Sequence, residues 1–234
     1  NLIHGQTINE DKYFKKINKK KIRAICSEAA RTKRVVAAHC HGKEGILAAI
    51  RNGATTIEHG SYLDKECVEL MKKKNMILVP TRFIVETYFG TIHATGKKPS
   101  TMSEEAFRKG VAVYDTSLAA LKLAVQEGVT IACGTDMSFP QWGRNGEELK
   151  YYVAAGMTPL QAIETATANG PKTIGDFYAP KSGLLKAGYD ADVIVLSKNP
   201  LDDITLLSDA NNVLMVWKMG RLVKNISSFK KSHS

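Results

Sequence analysis

Along the first three quarters of the chain, apolar residues recur at two different spacings, and the alternation between them predicts the elements. From Asn18, the residues Ile22, Ile25, Cys26, Ala29 and Ala30 share one helical face, with Asn18 suited to cap it. Residues 35–38 then read as a buried strand, residues 43–52 as a helix closed by Gly53, and residues 55–57 as a second strand. A helix begins after Asp64, and a strand over 76–79 is stopped by Pro80. This strand–helix order with short connections predicts βα units and a parallel sheet.

After Thr81 the pattern predicts a longer irregular segment containing Gly90, Gly96 and Pro99. Phe107, Val111, Tyr114, Leu118, Leu121 and Val125 then mark a helix lying on a barrel wall and ended by Gly128. A strand over 129–133 runs into Gly134-Thr135-Asp136, and two helices follow. The second opens with Thr158-Pro159-Leu160-Gln161, which combines a capping threonine, a proline at the first helical position and a glutamine placed to close a capping box. From about Pro180 the period turns extended, with a strand over 191–196 and a hairpin of 213–217 and 221–223 turning at Met219-Gly220. These strands predict a separate small subdomain, and the tail SSFKKSHS reads as disordered.

Composition adds limits. A chain of 234 residues with 44% hydrophobic and 24% charged residues can bury one substantial core. The net charge of +10 comes from 33 Lys and Arg against 23 Asp and Glu, much of it in runs such as Lys19, Lys20 and Lys21 or Lys72, Lys73 and Lys74. No aromatic residues interleave with these runs, so they read as solvated helix faces and nucleic acid is not an expected partner. Cys26, Cys40, Cys67 and Cys133 form no C-x-x-C pair and are expected to be free, buried thiols. No stretch approaches the ~18 apolar residues a membrane helix needs, and the polar start does not read as a signal peptide. The compartment stays open.

The candidate chemistry lies at the ends of apolar runs: VVAAH closes on His39, TTIEH on His59 and TIACGTD on Asp136. Hydrophobic strands usually stop at turn residues, whereas enzyme barrels place their chemistry at strand ends. His39 and His59 are one βα repeat apart, so two consecutive strands deliver an imidazole to the same rim. Two neutral imidazoles and a carboxylate suit Zn²⁺ or a similar ion, and Asp136 is assigned as both ligand and general base. The chain therefore reads as a metal-dependent hydrolase. His41, just outside its strand, is expected to support a ligand or face the substrate, and His93 to line the pocket from the irregular segment. Arg82 is a candidate for gripping a substrate carboxylate, with an ion pair to a neighbouring loop as the alternative. His4 and His233 read as inert.

The motifs AHCHG, IEHGSYLD, VPTRF, GTDM, GMTPLQAIETAT and GLLKAGYDADVIVLSKNPLDDI together resemble the amidohydrolase superfamily, within it the imidazolonepropionase-like branch of Xaa-Pro dipeptidases and ochratoxinase-type amidases. The resemblance covers about residues 18–224 and implies a distorted (β/α)8 barrel with a small β-sandwich. The expected fold is thus α/β: residues 1–178 as strands 5–8 of a TIM-like barrel with their helices, 179–226 as strands of the β-sandwich, and 227–234 as tail. By motif, His39 and His59 correspond to the metal ligands of the fifth and sixth strands and Asp136 to that of the eighth. The family's His-x-His pair and bridging lysine would lie before residue 1, and the opening residues resemble the loop after the fourth strand. The resemblance implies half of an enzyme, with the N-terminal half expected as a second polypeptide and homo-oligomers expected. One or two zinc ions and a dipeptide or N-acyl amino acid substrate are implied. The alternatives are imidazolone or phosphotriester hydrolysis, or a non-catalytic fragment serving as an assembly module.

Overall fold

A computed structural model describes residues 2–5, 19–137 and 142–226, the first four by backbone alone. Its centre is a five-stranded parallel sheet of β1 (Leu2–Gly5), β2 (Ala37–Cys40), β3 (Thr56–His59), β4 (Ile77–Val79) and β5 (Thr130–Ile131), hydrogen-bonded in chain order. The strand β1 is a correction to the expected opening loop: Leu2 to Gly5 pair in register with Ala37 to Cys40. Strand β2 also starts two residues later than the pattern predicts, so His39 lies inside it. Strand β5 is shorter than expected, and Asp136 falls on the loop beyond it.

The helices form for reasons that can be named. α1 (Lys19–Arg31) buries Ile22, Cys26 and Ala29, while Ala30, assigned to the same face, is exposed. α2 (Lys43–Asn52) ends on Gly53 in the left-handed conformation with φ 97°. α3 (Lys65–Lys73) opens on Asp64, whose side chain accepts a hydrogen bond from the Cys67 backbone. Between β4 and the long α5 (Glu104–Gln126), the segment expected to be irregular is instead a 14-residue helix, α4 (Arg82–Thr95). Tertiary packing overrides its Gly90 and β-branched residues. Phe83, Val85 and Ile92 are buried, and Phe89 lies so close to α5 that a Cβ at Gly110 would sit 2.0 Å from its ring. The stripe expected on α5 is mostly half-buried. Its buried line is of small residues, Gly110, Ser117, Ala120 and Ala124, with Leu121. α6 (Glu148–Ala154) and α7 (Pro159–Ala166) follow, the latter with the full Thr158–Gln161 capping box.

Alternate residues of each strand face opposite ways. Ala38, Cys40, Ile57, Leu78 and Ile131 join Ile22, Ile46, Ile50, Met71, Leu121 and Tyr152 in the main core. A three-stranded antiparallel sheet of β6 (Val193–Leu196), β7 (Val213–Lys218) and β8 (Arg221–Asn225) follows. Met219 and Gly220, both at positive φ, make its tight hairpin turn as expected. The expected tail at 227–234 lies outside the described residues. Among the described residues, no helix is long and apolar enough to cross a membrane.

Candidate metal centre at the strand ends

The other face of the parallel sheet is mixed: Ile77, Val79 and Ala132 form a small apolar cluster there, and polar side chains gather beside it. Ala37 and His39 of β2 and Thr56 and Glu58 of β3 line a cavity of about 400 Å³, shared with His59, Thr81 and Asp136 at the strand ends. Strict alternation would send His59 to the helix side with Ile57. Its φ of 70° breaks the alternation and turns the imidazole to the cavity side. There His39 Nδ1 and His59 Nε2 are 2.9 Å apart, and the rings meet edge to face with centroids separated by 4.3 Å. The second nitrogen of His59, Nδ1, is 2.7 Å from Thr81 Oγ1. His41 stacks on His59 at 4.6 Å with an interplanar angle of 12°, and its Nδ1 is 2.8 Å from the hydroxyl of buried Ser61.

The backbone at this rim is strained. Thr81 and Asp136 have φ of 52° and 51°, and with His59 they make three non-glycine residues in the left-handed region, one at the last residue of a strand and two in the loops that follow β4 and β5. Among the described residues, the other three such positions, Lys33, Asn75 and Met219, lie in turns. Each strained position costs about 1–3 kcal/mol and persists only where its surroundings hold it. The loop carrying Asp136 passes so close to β4 that a Cβ at Gly134 would lie 2.5 Å from Val79 Cγ1.

One ligand nitrogen from each of His39, His41 and His59 lies within 4.8 Å of the others. Two nitrogens bound to one zinc ion at about 2.1 Å and a tetrahedral angle stand about 3.4 Å apart, so the observed 2.9 Å needs only a small opening. Neutral imidazoles from fixed strands fit a borderline-soft divalent ion. Asp136 is exposed and lines the same cavity without joining the three-histidine cluster. Glu58 supplies a second carboxylate. Burial pushes its carboxyl above the usual range, a hydrogen bond from Thr56 opposes this, and the nearby Asp136 charge adds to it. The Cys40 and Cys133 thiols are pushed up to about 12, chiefly by burial, and stay neutral at physiological pH. All four cysteines are free, as expected.

Two of the expected site residues are used elsewhere. Arg82 is 1% exposed. Its guanidinium donates to Glu86 at 2.6 and 2.9 Å, to the Tyr114 carbonyl at 2.7 Å and to Ser117 Oγ at 2.7 Å, while stacking 4.1 Å from the Tyr114 ring. The first residue of α4, it reaches along the α4–α5 seam and is not part of the cavity lining. His93, in the last turn of α4, stacks on Tyr114 at 4.1 Å with its Nε2 2.9 Å from Asp115, outside the cavity lining. Thr81 and Ser61, which orient the histidines, are not among the expected site residues. Their signal was weak: each is a small hydroxyl residue just beyond a strand end. Glu148, fully buried and binding the start of α4, is not among the expected residues either.

A sequence model of the Amidohydrolase family matches residues 3–223. Ochratoxinase of Aspergillus niger is 42% identical over 212 residues, covering 90% of this chain and 42% of that protein. Its crystal structure superposes with a TM-score of 0.84 at 40% identity, over 97% of this chain and 50% of the other. A crystal structure of a Xaa-Pro dipeptidase with methionine bound in its active site gives a TM-score of 0.80 at 31% identity, over 90% and 50% of the two chains. The chain spans about half the length of the relatives it matches.

Proposed function

This chain belongs to the amidohydrolase family, in its ochratoxinase-like branch, and from that premise we propose that it carries half of the active site of a metal-dependent hydrolase cleaving an amide bond in a dipeptide or N-acyl amino acid. The observation that carries this reading is the pair of imidazole nitrogens, His39 Nδ1 and His59 Nε2, facing each other at 2.9 Å in a cavity that Asp136 also lines. An amide is the bond a dipeptidase cleaves, and the family name points to the same bond class.

His39, His59 and Asp136 would hold one or two divalent ions, zinc being the first choice for this donor set. Bound there, such an ion would polarise the scissile carbonyl and ease deprotonation of the attacking water. Asp136 takes the proton of that water and returns it to the leaving nitrogen. Thr81 fixes the ring of His59 from behind, and His41 offers a further nitrogen to the ion or a donor to the substrate.

Among the described residues, β1 and β5 each have one strand neighbour in the sheet, which leaves two open edges. We propose that polypeptide beyond this sequence, continuous with it or separate, closes a (β/α)8 barrel on these edges and brings the remaining ligands, with Ala37, His39, Thr56 and Glu58 on its inner wall. The sheet of β6, β7 and β8 would then be one layer of the accompanying sandwich. The test is metal analysis and intact mass of the full-length protein, with hydrolysis of dipeptides and N-acyl amino acids followed by product release. Zinc near one or two equivalents with turnover of these amides supports the proposal. A metal-free, inactive assembly would instead identify an assembly module.

A further inference from the structure

Three described helices begin after a serine or threonine, and one of the three does not cap itself. Ser103 ahead of α5 and Thr158 ahead of α7 are extended, with φ of −67° and −69°, and their side chains accept hydrogen bonds from Ala106 N and Gln161 N. This is the ordinary arrangement for a helix start, whose first N–H groups lack partners within the helix. Thr81 ahead of α4 is left-handed at φ 52°, ψ 44°, and makes no such bond. Its hydroxyl is 2.7 Å from His59 Nδ1 instead.

The orphaned donors of α4 find a partner far along the chain. Glu148, the first residue of α6, accepts the Arg82 N–H at 2.6 Å through one carboxylate oxygen and the Phe83 N–H at 2.7 Å through the other. Thr81 and Glu148 are both buried, so no water has easy access to either role. The cap has been exchanged: a remote carboxylate does for α4 what its own threonine would do.

We propose that Glu148 is a positioning residue for His59: by capping α4 in place of Thr81, it leaves the Thr81 hydroxyl to hold His59 Nδ1 and so to aim Nε2 at the metal position. The inference rests on the reading of His59 as a metal ligand. Without the Glu148 acceptors, the nearest substitute cap is Thr81 itself. To reach the α4 N–H groups, Thr81 would relax to the extended backbone seen at Ser103 and Thr158 and abandon His59. Groups that orient a metal-binding imidazole are commonly worth about 10- to 100-fold in metal affinity.

The test uses the full-length protein with Glu148→Gln, Thr81→Val, Thr81→Ser and the Glu148→Gln/Thr81→Val double variant. Gln keeps the volume and one acceptor oxygen but sets an NH2 group against a backbone N–H, so it weakens the cap without emptying the site. Two readouts are taken: zinc affinity by chelator competition, and the His59 tautomer in metal-free protein from long-range ¹H–¹⁵N correlations. Wild type and Thr81→Ser are expected to hold one tautomer. Glu148→Gln and Thr81→Val should each mix the tautomers and weaken zinc binding about 10-fold, with the double variant no weaker than Thr81→Val alone. Independent, multiplying losses would overturn the inference. So would a Glu148→Gln variant with a lowered Tm but an unchanged tautomer and affinity. A wild type that binds no zinc defeats the metal reading, and the tautomer readout then still decides whether Glu148 positions His59.

Discussion

The two faces of the parallel sheet come from the same strands and differ only in which alternate residue they present. The helix side offers Ala38, Cys40, Ile57, Leu78 and Ile131, all at most 2% exposed and packed among helix side chains. The cavity side offers His39, Thr56 and Glu58 beside the small apolar cluster of Ile77, Val79 and Ala132, with His59 turned onto it by left-handed backbone and Thr81 and Asp136, also left-handed, at its rim. The first face satisfies the packing rules that stabilise a fold. The second violates them with charge, unusual φ and hydrogen-bonded imidazoles, and departures of this kind concentrate where a protein does chemistry.

The contrast can be attacked from both sides. A charge on the helix face should have the largest effect: Leu78→Asp, buried and without a partner, is expected to abolish cooperative folding, a loss above about 4 kcal/mol that thermal denaturation would reveal. A sharp melt for that variant would show that the helix face is less committed than its burial implies. On the cavity face, His39→Ala should leave the circular dichroism spectrum intact while turnover falls about 10³-fold and bound zinc drops, provided the full-length enzyme is used. Equal losses of fold and activity would erase the distinction between the faces.

Proton linkage probes the seam between them. Burial pushes the Glu148 carboxyl up to about 7 from an ordinary 4.5, against the pull of its two backbone N–H bonds. A raised carboxyl stabilises the native state fully below its unfolded value and ceases to do so as pH rises through the folded one. Stability should therefore decline between about pH 4.5 and pH 7, by up to ~3 kcal/mol from this group. Denaturant midpoints across that window should fall in wild type and flatten in Glu148→Gln. The smallest change is expected at Glu58→Gln, within ~1 kcal/mol of neutral: burial already disfavours the charge, and the Thr56 hydroxyl can still donate to the amide oxygen. A collapse of stability there would mean that the cavity face is structural after all.

What the sequence disclosed follows from the range of the interactions involved. The limits of α2, the Asp64 cap, the Thr158–Gln161 box and the Met219-Gly220 turn are set by residues within four positions of one another, and all were legible. The convergence of His39 and His59 was legible too, because a regular βα repeat fixes it. Helix α4 was not, since it depends on Phe89 fitting over Gly110, twenty-one residues away. Nor was the true task of Arg82, whose partners Tyr114 and Ser117 lie more than thirty residues on, or the link from Glu148 to α4 across 66 residues. Left-handed backbone at His59, Thr81 and Asp136 could not be read off either: His and Asp adopt it more readily than most residues, but most of them do not, and Thr rarely does.

The meeting of the two imidazoles is fixed by pairing: His39 faces Glu58 and Cys40 faces His59 across adjacent strands. Nothing in that ladder depends on how much chain passes between them. The turns at the far end of the strands, at Gly53 and around Asn75, are therefore the natural places to splice in a tag, a reporter or new chain termini. An enzyme assembled from such repeats can be cut and rejoined at its base while its mouth keeps its shape.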